Sequence, residues 1–173
     1  MAHQSQIEFM LAVKSKFPER FKDCRVLDIG SLDLNGNNRY LFENYKYLGV
    51  DIGYGKNVDI VCPGHKIIDS EGFNVVISTE CLEHDEYWME TLKNMFDLTK
   101  SEGMLLLSCA TTGRPEHGTA KTSPADSPFT NSYYKNITIA DVENVLNFNH
   151  FKQYEISTVS DPSCDLYFWG IKK

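Results

Sequence analysis

Three apolar runs in this sequence end in residues that can do chemistry. "VLDIGS" closes on Asp28, Gly30 and Ser31, "YLGVDI" on Asp51 and Ile52, and "FNVVISTE" on Ser78, Thr79 and Glu80. Asp51 stands about 20 residues beyond Gly30, an interval that suits an acid at a strand end meeting the ribose of a bound nucleotide. A carboxylate there accepts two hydrogen bonds from a ribose diol. Each contributes about 1.5–3 kcal/mol because the acceptor is charged. The competing reading of Asp51 is an acid that caps the turn in "DIGYG".

Further along, "CLEHD" offers Glu83 and His84, and "GRPEHGT" offers His117. Imidazole and carboxylate groups can take a proton from a hydroxyl or an amine. Glu80, His84 and His117 are therefore the candidate catalytic groups. His84 has a plainer reading, a helix-start histidine bonded to backbone. Glu83 is expected to be a solvated acid at a helix start, stabilised by the helix dipole.

These residues need elements that hold them. Residues 4–16 carry Ile7, Met10, Leu11 and Val13 at near-helical spacing and predict a first helix, within an N-terminal helical region spanning 1–20. "CRVLDIG" reads as a strand, "NRYLFENY" as a short helix, and "YKYLGVD" and "NVDIVCP" as two more strands. "FNVVIST" is a fourth strand, apolar at consecutive positions as expected of a strand buried on both faces. "DEYWMETLKNMFDLTK" places Trp88, Met89, Leu92, Met95 and Phe96 on one helical stripe. "SEG" ends that helix and "MLLLSCA" is a fifth strand. Residues 111–135, rich in Thr, Ser, Pro and Gly, form a long loop, and such loops on rigid scaffolds often bind ligands. "TIADVENVLNF" is a helix with Thr138 as its N-cap. "FKQYEISTV" and "DLYFWGIKK" close the chain as a hairpin. Strands alternating with helices imply an α/β fold with a parallel sheet.

In doubly wound sheets, ligands bind at the carboxyl ends of the strands, where the polar residues above fall. A nicotinamide dinucleotide needs a G-x-G-x-x-G turn so that backbone can approach its pyrophosphate. "GSLDLNG" lacks that pattern, with Asn35-Gly36 supplying a second turn instead. Asp28 and Asp33 would repel a pyrophosphate and tolerate a cation. S-adenosylmethionine carries an ammonium and a sulfonium and no phosphate, so the charge pattern favours it.

"VLDIGS", "YLGVDI", "FNVVISTECLEH" and "SEGMLLLS" together resemble the successive motifs of a class I S-adenosylmethionine-dependent methyltransferase, most closely the small type 11 domains. The resemblance spans residues 24–110 by motif and the rest by layout. It implies a three-layer, Rossmann-like, doubly wound sheet of seven strands in the order 3-2-1-4-5-7-6, strand 7 antiparallel, which the closing hairpin of this sequence would supply. It also implies roles. Asp28, Gly30 and Ser31 would cradle the methionine part of the cofactor, and Asp51 and Ile52 would meet ribose and adenine. Ser78 and Thr79 would stand beside the transferring methyl. The acid that usually meets adenine after the third strand is missing; Pro63, Gly64 and His65 occupy its place. Gly64 and His65 are the residues expected to take over there. The helix between the second and third strands is also nearly absent.

Composition bounds the rest. A chain of 173 residues, 42% hydrophobic and 24% charged, suits one globular domain. The net charge of −7 argues against a nucleic-acid surface and gives no support to an anionic membrane. No apolar run is long enough to span a bilayer. Five cysteines without a C-x-x-C pair suit reduced thiols, and no metal site is expected. The N-terminus has no secretory pattern, so a cytoplasmic setting is expected. The acceptor is expected to be a small polar molecule, a sugar or a lipid-linked group, methylated at oxygen. "STEC" replaces the "NPPY"-like sequence common in enzymes that methylate nucleic-acid amines. Two other readings are a non-catalytic module that binds the cofactor to assist a partner, and a nicotinamide oxidoreductase.

Overall fold

The computed structural model describes residues 4–130, 132–160 and 162–173. Its strands are β1 (Arg25–Ile29), β2 (Lys46–Asp51), β3 (Ile60–Val61), β4 (Phe73–Thr79), β5 (Thr99–Ala110), β6 (Phe151–Val159) and β7 (Asp165–Lys172). They form one sheet in the order β3-β2-β1-β4-β5-β7-β6. β1 to β5 run parallel, and β7 is antiparallel to both β5 and β6. This is the topology implied by the sequence motifs.

Three α-helices flank the sheet: α1 (Gln4–Lys16), α2 (Trp88–Leu98) and α3 (Ile139–Val145). Met10 and Val13 of α1 pack on one face, with Val26, Val75, Ile77, Met104 and Trp169. Leu92 and Met95 of α2 and Val142 of α3 pack on the other, with Leu27, Val76, Leu105 and Leu107. Thr138 caps α3 as expected. Its hydroxyl accepts the Asp141 N–H, and the Asp141 carboxylate accepts the Thr138 N–H, which completes a capping box.

Three elements differ from the sequence-based reading. "NRYLFENY" is not a helix; only a single 3-10 turn forms, at Arg39–Leu41. Leu41 and Phe42 are both buried in the α1 face of the core, Phe42 stacking on Phe21. Lys22 then pairs with Glu43 in a parallel bridge that holds the chain extended. β3 is only two residues long; just before it Asp59 donates its N–H to the Gly49 carbonyl, while its carboxylate accepts the Gly49 N–H and pairs with Arg39. β5 begins at Thr99 rather than Met104, with its register shifted where the "SEG" segment bulges.

Among the described residues, no helix is long and apolar enough to cross a membrane.

Candidate functional site

The carboxyl ends of β1, β2 and β4 open into one cavity of about 810 Å³. Asp28, Gly30, Ser31, Asp51, Ile52, Gly64, His65, Thr79, Glu80 and His84 all line it. Two of the expected site residues do not. Ser78 lies inside the sheet with its hydroxyl fully buried, and His117 stands behind His84, off the wall.

Asp28 is almost completely buried. Burial pushes its carboxyl up to about 7, against the opposing effect of bonds from the Tyr47 hydroxyl and the Asn38 amide. Asn38 reaches both Asp28 oxygens at 3.4 Å and donates to the Thr79 hydroxyl at 3.1 Å. It therefore ties the end of β1 to the end of β4. No sequence motif marks Asn38; its role depends on a loop folding back over β1.

Gly30 has a φ of +79°, a region that disfavours side chains. A Cβ there would stand 2.4 Å from the Cβ of Cys81. Glu80, also left-handed at +51°, turns the chain so that Cys81 fills this space. Strained backbone of this kind persists where the surroundings hold it, commonly at functional sites. The Glu80 carboxylate accepts the Ser108 hydroxyl at 2.8 Å.

The loop after β1 satisfies its own amides. Gly30 and Ser31 donate to the Val50 carbonyl, Leu32 to the Asp51 carboxylate, and Asp33 to the Lys56 carbonyl. Asp33 is paired with Lys56 at 2.8 Å and accepts from Gly36 and Asn37. Its charge is balanced by Lys56, which comes from the segment between β2 and β3. Asp51 accepts from Leu32 at 3.2 Å and Gly53 at 3.0 Å, and burial raises its carboxyl above the usual range. The N–H groups of Gly53, Leu32 and Ile52 all oppose that rise, and a carboxylate has about four acceptor sites in all.

His65, which follows β3, packs at a tilt against Tyr87, which precedes α2, with ring centroids 4.6 Å apart. Together they make an aromatic wall where the usual acid is missing.

The long loop reaches the cavity. Its segment 125–130 lies along the cavity, and the Phe129 ring sits against Gly53 beyond β2. Its other end packs Gly118 on the His84 ring. The loop thus spans the mouth from the β2 side to the β4 side. Arg114, by contrast, turns away to Asp165 at 3.1 Å and to the Ser163 carbonyl. Tyr133 lines the cavity; Tyr134 packs against both His84 and His117 instead.

Glu83 is not a solvated acid. It is fully buried, and burial together with the nearby Glu80 raises its carboxyl to about 8. The N–H groups of Glu83 and Ala110 lie nearby and oppose the shift, yet neither carboxylate oxygen has a partner of normal hydrogen-bond geometry among the described residues. His84 is lowered to about 3, by burial first and by His117 next, so it is neutral at physiological pH. A histidine so reluctant to accept a proton is a weak general base.

No family model matches the chain, and no curated protein matches it significantly. Solved structures do. The Burkholderia thailandensis 1,6-didemethyltoxoflavin-N1-methyltransferase, bound to its substrate and S-adenosylhomocysteine, is similar at a TM-score of 0.66 and 16% identity, over 96% of this chain and 77% of that one. Phosphoethanolamine N-methyltransferase 2 of Haemonchus contortus, with S-adenosyl-L-methionine, gives 0.65 and 15%, over 95% of this chain. This chain spans only 52% of that enzyme's length. The N-terminal domain of EvdMO1, solved in the presence of S-adenosylhomocysteine and D-fucose, gives 0.64 and 17%, over 100% of this chain and 85% of that one. With its strand order, its antiparallel β7 and these likenesses, the chain has the fold of the class I S-adenosylmethionine-dependent methyltransferases.

Proposed function

We propose that the protein binds S-adenosylmethionine and transfers its methyl group to a hydroxyl of a small polar acceptor. The observation that carries this reading is the cavity itself. Buried Asp28 and half-buried Asp51 line one side, at the ends of β1 and β2, and Glu80 and His84 line the other, past the end of β4. In this reading Asp28, Gly30 and Ser31 take the methionine end of the cofactor. Asp51 takes the ribose diol, with Ile52 beside it. Gly64, His65 and Tyr87 take the adenine, and Thr79 borders the sulfonium. The acceptor enters between Glu80, His84 and Tyr133, beneath the long loop.

The sulfonium is already an activated donor. The residues need only hold the acceptor oxygen, the methyl carbon and sulfur in line, with oxygen and carbon about 3 Å apart. A C–O bond forms as the C–S bond breaks, and its electron pair stays on sulfur as S-adenosylhomocysteine leaves. The hydroxyl proton passes to the Glu80 carboxylate. Residues 1–173 are read as a single methyltransferase domain.

Calorimetry with S-adenosylmethionine, followed by transfer of a labelled methyl group to a panel of sugars and small alcohols, tests the proposal. Binding with label in one acceptor class is the expected result. No binding at millimolar cofactor would overturn it. Binding without transfer to any acceptor would favour a non-catalytic module.

Asp28 gives a pH signature. Its carboxyl titrates near 7, protonated below and ionised above. If the ionised form receives the cofactor ammonium, the competent fraction rises about tenfold between pH 6 and pH 8, and affinity rises with it. The Asp28→Asn protein is expected to lack this increment, since Asn accepts the Tyr47 bond without titrating. Calorimetry of both proteins at three pH values checks it; parallel curves would exclude Asp28 from the ammonium site. The sign for stability is opposite. The folded value lies above the unfolded one of about 3.9, so the unliganded protein loses stability as pH rises from about 4 to about 7.

A further inference from the structure

Glu83 and His84 follow β4, while His117 comes from the long loop. Folding brings one ligand atom of each to within 4.8 Å of the others. We propose that Glu83, His84 and His117 form a binding site for one divalent transition-metal ion of the zinc type, at the acceptor end of the cavity. The catalytic use of this ion rests on the methyl-transfer reading above; its binding does not.

Four observations converge. First, the donor set is two imidazoles and one carboxylate, a combination that suits zinc and its transition-metal neighbours rather than calcium or magnesium. Second, the Glu83 carboxylate is fully buried with neither oxygen bonded in normal geometry among the described residues, and the Nδ1 of His84 is buried without a partner. Leaving such groups unmatched is costly, and a cation would match them together. Third, the Nδ1 of His117 lies 3.1 Å from the Pro115 carbonyl. A carbonyl can only accept, so Nδ1 carries the proton and Nε2 keeps its lone pair. Outer bonds of this kind orient metal-ligating histidines. Fourth, Gly118 lies flat on the His84 ring, where a Cβ would stand 2.6 Å from Cε1. The loop is therefore pinned where His117 can reach.

Ligand atoms around one zinc ion stand roughly 3.3 Å apart, from bond lengths near 2.0–2.1 Å. Rotation of the partly exposed His117 side chain is the adjustment that closes the set. His84 is the ligand that also lines the cavity, and Glu80 stands beside the cluster. An ion held here with an open position would polarise an acceptor hydroxyl and ease its loss of a proton.

The test uses the full chain without a histidine tag, stripped with chelator and titrated with zinc against a chromophoric competitor. Cobalt supplies a second readout through its visible absorption. One equivalent per chain is expected. Loss of an outer partner of a metal ligand costs 10–100-fold in affinity, so loss of a ligand, in His117→Ala and Glu83→Gln, is expected to weaken binding roughly a hundredfold or more. His117 is on a loop and its loss should leave the melting temperature and S-adenosylmethionine affinity near wild type. That separates failure here from failure of the cofactor assignment. Substoichiometric binding, or equal affinity in folded His117→Ala, would overturn the proposal.

Discussion

Gly30→Val is expected to abolish S-adenosylmethionine binding and to lower stability by about 2–5 kcal/mol. Two costs combine. A side chain in the left-handed region costs about 1–2 kcal/mol. Forcing extra carbon into a packed site costs about 1–3 kcal/mol more. Here the obstacle is the Cβ of Cys81, 2.4 Å away. The residue next to Cys81 is Glu80, whose own backbone is left-handed. The substitution thus disturbs both sides of the cavity. Gly30→Ala should behave similarly in a milder form, and adding Cys81→Gly should restore part of the stability. Thermal melts and calorimetry on the single and double variants measure the coupling. Cofactor affinity retained in a folded Gly30→Val protein would mean that the pocket lies elsewhere.

The second large effect is at Asp51. Asp51→Ala removes the proposed ribose acceptor and also releases the N–H groups of Leu32 and Gly53. Two charge-assisted bonds to a diol contribute about 3 kcal/mol at the low end, so affinity should fall by about a hundredfold or more. Part of that loss could arise from a loosened loop. Asp51→Asn separates the contributions, because its single carbonyl can keep one backbone bond but cannot serve both donors and the diol. A turn-capping role alone predicts that Asn preserves affinity. A ribose role predicts that Asn falls near Ala. Competition with adenosine and with methionine locates the loss on the nucleoside side.

Both effects arise at residues the sequence already marked, yet their physical settings were not marked. Gly30 was expected to matter for a turn; its conflict with Cys81 required β1 and β4 to be neighbours in register. Asp33 and Asp28 looked alike as acids in one loop. Lys56 neutralises the first, and burial holds the second near its titration point. Glu83 looked like a helix-start acid because "CLEHDEYW" runs directly into a helix. In fact the helix begins at Trp88, and Glu83 lies in a 3-10 turn pressed into the core.

Local pattern by itself determined the strands, the parallel sheet with its closing hairpin, and the cap of α3. Consecutive apolar runs bury on two faces whatever their neighbours, and a capping box needs only residues three apart. Pattern also put the polar residues at the strand ends, where the cavity opens. What only the tertiary structure decided is which polar groups meet. Asn38 reaches Asp28 and Thr79, Phe129 covers Gly53, and His117 arrives beside Glu83 and His84. Each pairing joins residues far apart in the chain, and its energy depends on burial and on partners, which no single stretch of sequence contains. The missing helix after β1 follows the same rule. Its local spacing favoured a helix, and the core beneath Leu41 and Phe42 overrode it.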